Sequence, residues 1–557
     1  MATRRRAHAA GTHETRVVVG PRRAWSHSGA TSACGHAFRG DSLLSAMMLA
    51  ALVDVTAVDA LPDLLTDLTG SFAVVKSEPD AVIAITDRIR GVPLYCVDDV
   101  DGRLVTDDPA GNVAGLIARR SDWTCQAELL ETACVSGADT LVDGVAQVEA
   151  GSMMRVPHDR ARPRCSTPWY TFRTGQGRAR SDDLVTAALA AHRAAVMRAV
   201  RYAEGSLIAV PLSGGLDSGT LAAILARSGI DREQVVTFSY GRSGNRESEG
   251  SRRVAEALGL RWEFVAYTEQ TWQRLARASW WPTYLTRASS LAGVPGFDDL
   301  PAVCELRQRG VLDEGTVVVP GHTLDFLAGS QIPGALLRHR RGTRTDAVNA
   351  VLSTFYKYRS HGTVAALLGR TEGEVADAMR ARAEAALPET PTSVSRRGLV
   401  ALADLWGWRE RQAKMIVNSV RAYEHCGLRW ALPWWDREVL DFWSTVPLGG
   451  RIGQGLRGEL AVAAGWPRAT RPRRARVQAR LERVIRTSTL DHAAKKLRSL
   501  ARRSTKASRY RKDELACFAL FGESRFRESF HGTEVPRALL AEDVLERFVV
   551  SGGTRRR

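Results

Sequence analysis

The sequence predicts an α/β protein whose larger part is a doubly wound parallel sheet with helical additions. Three observations carry this. Leu207–Leu212 is a short apolar run of buried-strand length, followed at once by Ser213-Gly214-Gly215-Leu216-Asp217-Ser218 and then by helical spacing through Leu221, Ile224 and Leu225. Strand-like and helix-like stretches then alternate: Val235–Tyr240, Glu247–Leu258, Trp262–Ala266. Further on, a second apolar strand, Thr316-Val317-Val318-Val319, again ends in a glycine, Gly321. Such alternation implies parallel strands with helical crossovers, and ligands then bind at the carboxyl ends of the strands.

In chain order, the Arg- and His-rich residues 1–16 have no apolar core, so a disordered basic tail and no signal peptide are expected. Arg16–Gly20 reads as a first strand, and Ser42–Leu68 has helical apolar spacing broken at Pro62. Leu68–Val75 reads as a turn into a strand, Glu78-Pro79-Asp80 as a hairpin turn and Ala81–Thr86 as the partner strand. These stretches belong to a first domain over 17–175. A polar linker, QGRARSD, follows at 176–182, and the second domain occupies 180–557, opening on a helix over Asp182–Ala203 with Ser181 as its cap.

Composition narrows the class. At 557 residues the chain has room for two domains, and its 44% hydrophobic content is that of a globular protein. The formal net charge is +17, with Arg468–Lys512 especially basic. No zinc-finger spacing or RNA-binding signature accompanies that charge, so it reads as a solvated or substrate-facing surface rather than a nucleic-acid interface. The eight cysteines are scattered without CxxC spacing, which fits a reducing cytoplasm and no structural zinc. Leu43–Val53 is too short to span a bilayer, so no membrane partner is expected.

The chemistry-bearing stretch is SGGLDS. A strand, a Gly-rich turn and a helix N-terminus make an anion site, because free backbone N–H groups and the helix dipole both favour negative charge. Gly214 and Gly215 let the backbone approach phosphate oxygens, and Ser213 and Ser218 add hydroxyls. Asp217 repels a bare phosphate, so a bridging Mg2+ is implied. No Lys follows the glycines, which excludes a Walker A loop. In this context SGGLDS resembles the pyrophosphate loop of the ATP pyrophosphatases, which cleave ATP to AMP and pyrophosphate.

Two further resemblances extend this one. LTGSFAVV followed by TDRIRGVPLY is similar to the N-terminal glutaminase domain of the asparagine synthetases, an Ntn-type four-layer αββα fold with an N-terminal Cys nucleophile. Here the chain starts Met1-Ala2-Thr3 and the first cysteine is Cys34, so the domain is expected to keep the fold and lack the glutaminase. GHTLDFLAGSQIP resembles the second ATP-site motif of the same synthetases, whose acid joins the SGGLDS aspartate on Mg2+. The resemblance thus implies Asp217 and Asp325 as metal ligands. It implies Leu212, Ser213, Gly214, Gly215, Leu216, Asp217, Ser218, Val236 and Gly321 as the ATP and pyrophosphate site, with Leu212 and Val236 against the nucleoside.

Leu399–Leu440 is helical and aromatic, with Trp406, Trp408, Trp430, Trp434, Trp435 and Trp443 in or just beyond it. Tryptophans at such spacing are usually core, with peptide binding the lesser reading. The segment resembles the part of the synthetases that shapes the acceptor pocket, and its form is most like the lasso-peptide macrocyclases, with β-lactam synthetases next. β-Lactam synthetases use a Tyr, paired to a Glu, three residues before the second metal acid. His322 stands there in this sequence, a general-base candidate with Glu410 to orient it. The family's Arg-Pro-Lys run, whose Lys stabilises the acyl-transfer transition state, has Arg471-Pro472-Arg473 as its counterpart, so either Arg473 replaces that Lys electrostatically or another cation serves.

The expected activity is therefore adenylation of a side-chain carboxylate of a leaderless core peptide with ATP and Mg2+, then attack by the peptide's own N-terminal amine. A leader peptidase and a leader-binding protein would be partners. Alternatives are β-lactam formation, ammonia-dependent asparagine synthesis and a non-catalytic regulatory or nucleic-acid-binding relative.

Overall fold

The computed structural model describes residues 14–20, 22–99, 102–175, 177, 181–467, 515–529 and 535–548. The expected basic tail, most of the linker, the basic run after residue 467 and Arg473 lie outside the described residues.

Eleven strands precede residue 170: β1 (Arg16–Val18), β2 (Trp25–Ser28), β3 (Thr31–Arg39), β4 (Ser42–Leu44), β5 (Leu68–Glu78), β6 (Ala81–Thr86), β7 (Tyr95–Asp99), β8 (Gly102–Thr106), β9 (Val145–Gln147), β10 (Ser152–Pro157) and β11 (Cys165–Pro168). They form two sheets. One runs β11-β10-β6-β5-β3-β2, with β4 also on β3; the other runs β1-β8-β7-β9. Alternation along β5 explains the stacking. Phe72 and Val74 face α1 (Ala46–Asp54) and α2 (Leu61–Asp67), where Leu49, Val53, Leu61 and Leu65 cover them. Ala73 and Val75 face the other sheet, against Cys96 and Val105. The far face of that second sheet, with Val97 and Leu104, joins the main core with Leu129 and Leu130 of α4 (Trp123–Thr132), the helix that follows the short α3 (Pro109–Asn112). The layers run helix, sheet, sheet, helix. Pro62 does not break a helix here; it sits in the first turn of α2, where its missing N–H costs nothing.

After α5 (Ser181–Ala203) comes the parallel sheet: β12 (Ile208–Pro211), β13 (Val235–Gly241), β14 (Arg261–Ala266) and β15 (Val317–Val318). β16 (Arg341–Gly342) and β17 (Val394–Ser395) pair separately, and β18 (Arg429–Trp430) returns to the sheet. The order is β14-β13-β12-β15-β18, and every neighbouring pair is parallel. Two strands lie on each side of β12: β13 and β14 one way, β15 and β18 the other. The reversal falls between β12 and β15, and a crevice opens at such a point beyond the carboxyl ends. α6 (Leu216–Ala226) and α7 (Arg246–Leu258) are the crossovers after β12 and β13.

The stretch 396–425 is a helical rod of changing pitch. It starts as an α-helix over Arg396–Trp406, widens to a π-helix over Gly407–Ile416, tightens to 3-10 over Val417–Val420 and ends as α over Arg421–His425. π-helices are rare and gather at functional sites. The six tryptophans singled out in the sequence are buried, each at most 8% exposed, so they are core. Among the described residues, no helix is long and apolar enough to cross a membrane.

The rod grips the N-terminal sheets through the TDRIRG turn. Asp87 accepts N–H bonds from Phe72, Ile89 and Gly91, which fixes the turn after β6. Its carbonyls then receive the rod: Trp408 Nε1 donates to the Arg88 carbonyl at 2.9 Å, and Arg421 donates to that of Gly91. Glu424 sits between Arg23 (2.9 Å) and Arg421 (2.5 Å) and accepts from Trp430 Nε1. Burial would raise its pKa, but the two guanidinium groups prevail and hold it at about 2. This folded value lies below the unfolded one of about 4.3, so the stabilisation is present above pH 4.3 and is lost as pH falls toward 2. Urea unfolding at pH 7 and pH 3.5 checks this: wild type should lose more stability between the two than Glu424→Gln does.

Candidate active site

The first loop is built by the end of β12. After Pro211 the chain turns at Gly214, whose φ is +68°, and a Cβ there would lie 2.8 Å from the backbone of Gly250 and Ser251 in α7. Only glycine fits both demands. Gly215 caps α6, so Leu216, Asp217 and Ser218 form its first turn, where N–H groups have no intrahelical partner. Ser213 and Ser218 tie the loop: their hydroxyls are 3.1 Å apart, and the Ser213 N–H donates to Ser218 Oγ.

The second loop leaves β15 through Pro320, Gly321 and His322. A Cβ on Gly321 would fall 2.5 Å from Ser218 Cα, so glycine lets the two loops touch backbone to backbone. The Asp325 N–H then donates to Asp217 Oδ2 at 3.0 Å, and Ser330 Oγ donates to Asp325 Oδ2 at 2.7 Å. Thr323 carries the strain of this turn with φ +97°, outlying for a β-branched residue. Two side-chain bonds hold it there: its hydroxyl donates to Gln412 Oε1 and accepts from Trp435 Nε1, both at 3.1 Å.

Burial pushes the Asp217 carboxyl up to about 6; Arg457 opposes the shift and Asp325 adds to it. Arg457 Nε lies 2.5 Å from Asp217 Oδ1 and is an unanticipated member of the site. It stands in the first turn of the helix Gly455–Ala464, just after two residues in the left-handed region, Gly453 and Gln454. The Gln454 side chain accepts from Arg457 Nη1.

A pocket of about 340 Å³ opens from this loop pair. Ser213, Asp217, Ser218 and Asp325 line one end; Tyr240, Asp298, Asp299 and Arg537 line another region. Met415, Ile416, Ser419 and Tyr423 of the rod form a wall. His322 lines it too. Its Nε2 is 3.4 Å from Ser419 Oγ, and its buried Nδ1 has no hydrogen-bond partner among the described residues. Burial lowers the imidazole to about 4, with Asp325 opposing, so the ring is neutral at physiological pH.

Strand-end loops carrying Asp217 and Asp325 at a reversal point are what comparison with known families explains. Residues 191–521 match the family model described as Asparagine synthase. The chain belongs to the asparagine synthase family. Comparison with curated proteins gives no match. Membership makes it an ATP-dependent amide-forming ligase. The donor set fits Mg2+ bound with phosphates: two hard carboxylates are adjacent, and among the described residues no group of three or more His, Cys, Asp or Glu completes an all-protein metal cage.

The structure places several of the singled-out residues outside the pocket lining. Leu212 and Val236 are buried, at 1% and 0% exposure, inside the main core. Val236 is the second residue of β13, far from its carboxyl end; Tyr240 is the residue of that strand that reaches the pocket. Glu410 does not orient His322. It is fully buried in the π-helix, 2.5 Å from Lys414 Nζ and 3.0 Å from Arg409 Nε, and accepts the Gly137 N–H. Its partner on His322 is instead Ser419. Cys34 is buried in β3, and burial pushes its thiol up to about 12. Arg457, Tyr240, Ser419, Tyr423 and Arg537 carry no local motif that would have marked them.

Lys414 Nζ also donates to the carbonyls of Val135 and Gly137, so the Glu410–Lys414 pair clamps the rod to the loop after α4. Removing one member leaves a buried charge poorly compensated. Lys414→Met should cost about 3–5 kcal/mol in urea unfolding, and adding Glu410→Gln should recover part of that loss.

Proposed function

We propose that this ligase adenylates a side-chain carboxylate of a leaderless core peptide and closes it on the peptide's N-terminal amine, forming the isopeptide ring of a lasso peptide. What carries this is one juxtaposition: the Asp325 N–H bonds to Asp217 beside the SGGLDS loop, and His322 lines the same pocket as both acids.

The roles follow from the chemistry. A carboxylate is a poor electrophile, so its oxygen attacks the α-phosphorus of ATP, giving an acyl-adenylate and pyrophosphate. Bound Mg2+ would supply positive charge to the phosphates, held by Asp217 and Asp325. First-turn N–H groups of α6, with Ser213 and Ser218, hold the departing pyrophosphate. Arg457, paired with Asp217, would lend positive charge beside the phosphates. The amine then attacks the acyl carbon and AMP leaves. His322, kept neutral by burial and lining the pocket, would accept the amine's proton. Joining two ends of one molecule gives the step a large effective concentration. A leader peptidase and a leader-binding protein would deliver the peptide.

ATP–pyrophosphate exchange with Mg2+ and the leaderless peptide, followed by mass spectrometry, tests this. Wild type should exchange and yield a product lighter by one water; Asp217→Ala should lose exchange by about a hundredfold or more. His322→Ala should keep exchange and lose product by about a hundredfold or more. Exchange without that mass loss would shift the substrate to other carboxylates, β-lactam precursors first. No exchange would favour a non-catalytic relative. In the same assay, Arg457→Met should raise the KM for ATP about tenfold or more, as expected for a charge-assisted hydrogen bond, with partial recovery in Arg457→Lys.

A further inference from the structure

Two thiols lie behind the pocket wall. Cys304 is in the helix Leu300–Gln308, whose N-cap is Asp299; Cys426 closes the last helical turn of the rod, after Tyr423. Their sulfurs are 2.8 Å apart, and both residues are partly exposed. A disulfide needs about 2.05 Å, so a small approach closes the bond. The same two segments already touch at the pocket, where Tyr423 Oη donates to Asp299 Oδ2 at 2.5 Å. The contacts therefore run in one order along both segments, Tyr423 to Asp299 and Cys426 to Cys304.

We propose that Cys304 and Cys426 are a reversible disulfide pair that ties the rod to the Leu300–Gln308 helix behind the pocket wall. The reagent is a small-molecule disulfide. A Cys304 thiolate attacks one of its sulfurs, releasing one small thiol and leaving a mixed disulfide on Cys304. Cys426, losing its proton, attacks the Cys304 sulfur and releases the second small thiol. The protein loses two hydrogens, and one small disulfide is reduced to two thiols. The neighbouring Cys426 thiol lowers the Cys304 pKa below the ordinary thiol range, which favours Cys304 as first attacker. Cys34, Cys96, Cys125 and Cys134 are buried and their thiols are pushed up, so none competes as a ready nucleophile.

This inference stands apart from the peptide-cyclising reading and is tested without substrate. The full chain is incubated with oxidised glutathione, denatured, alkylated and mapped by mass spectrometry. Cys304 and Cys426 should both lose alkylation, with one linked peptide pair containing them and full recovery after dithiothreitol; the exposed Cys165 can carry glutathione and is scored separately. In Cys426→Ser, glutathione should stay trapped on Cys304. Hydrogen exchange across 417–426 should slow at least severalfold in the oxidised protein. Complete alkylation of both cysteines, a linkage between other cysteines, or unchanged exchange in an oxidised protein would overturn the proposal; Cys304→Ser, which should form no linked pair, checks the assignment if Cys426→Ser does not fold.

Discussion

The site depends on one close approach. Gly321 lies against Ser218 with no room for a Cβ, and this brings the loop after β15 onto the first turn of α6. Any side chain at 321 would push the loops apart by the width of a methyl group. The Asp325 N–H would then leave Asp217, and two acids from distant parts of the sequence would no longer line one pocket together. Such contact is costly to arrange. Thr323 sits at a positive φ that costs about 1–3 kcal/mol, and it stays there only because Gln412 and Trp435 each bond its hydroxyl.

Those two partners lead outward through the fold. Gln412 belongs to the π-helix, and so do Glu410 and Lys414, the buried pair that binds the loop after α4. Widening to π pitch changes how side chains distribute around the rod. Gly407 opens this segment where a Cβ would lie 2.9 Å from the ring of Phe326, immediately after Asp325. The rod therefore presses on the second loop at Phe326 and Thr323 while its other residues hold the N-terminal sheets.

This explains what the sequence could disclose and what it could not. The parallel sheet was legible because each strand is a short apolar run ended by glycine or a polar turn, as in Leu207–Leu212 and Val235–Tyr240. SGGLDS was legible because its residues are contiguous, and Asp325 because it repeats the strand–glycine–acid pattern. Arg457 was not: its role depends on the helix Gly455–Ala464 lying near α6, a tertiary fact without local pattern. Glu410 and Lys414 sit at i, i+4, which reads equally as a solvated surface pair; only burial reveals a clamp. Leu212 and Val236 were assigned to the nucleoside by strand position, but apolar side chains at the centre of a two-sided sheet are claimed by the core.

The N-terminal sheets can be understood in the same terms. Cys34 is buried in them, and carbonyls of the turn after β6 and of the loop after α4 receive Trp408, Arg421 and Lys414 from the rod. Met415, Ile416, Ser419 and Tyr423, on the same rod, form the pocket wall. A helix with ten residues at π pitch is poorly stabilised by its own backbone. Anchored on one side to rigid sheets, it can hold a wall on the other. In that reading the N-terminal region serves as a brace: the TDRIRG turn, fixed by the three N–H bonds into Asp87, holds the rod whose other residues wall the pocket.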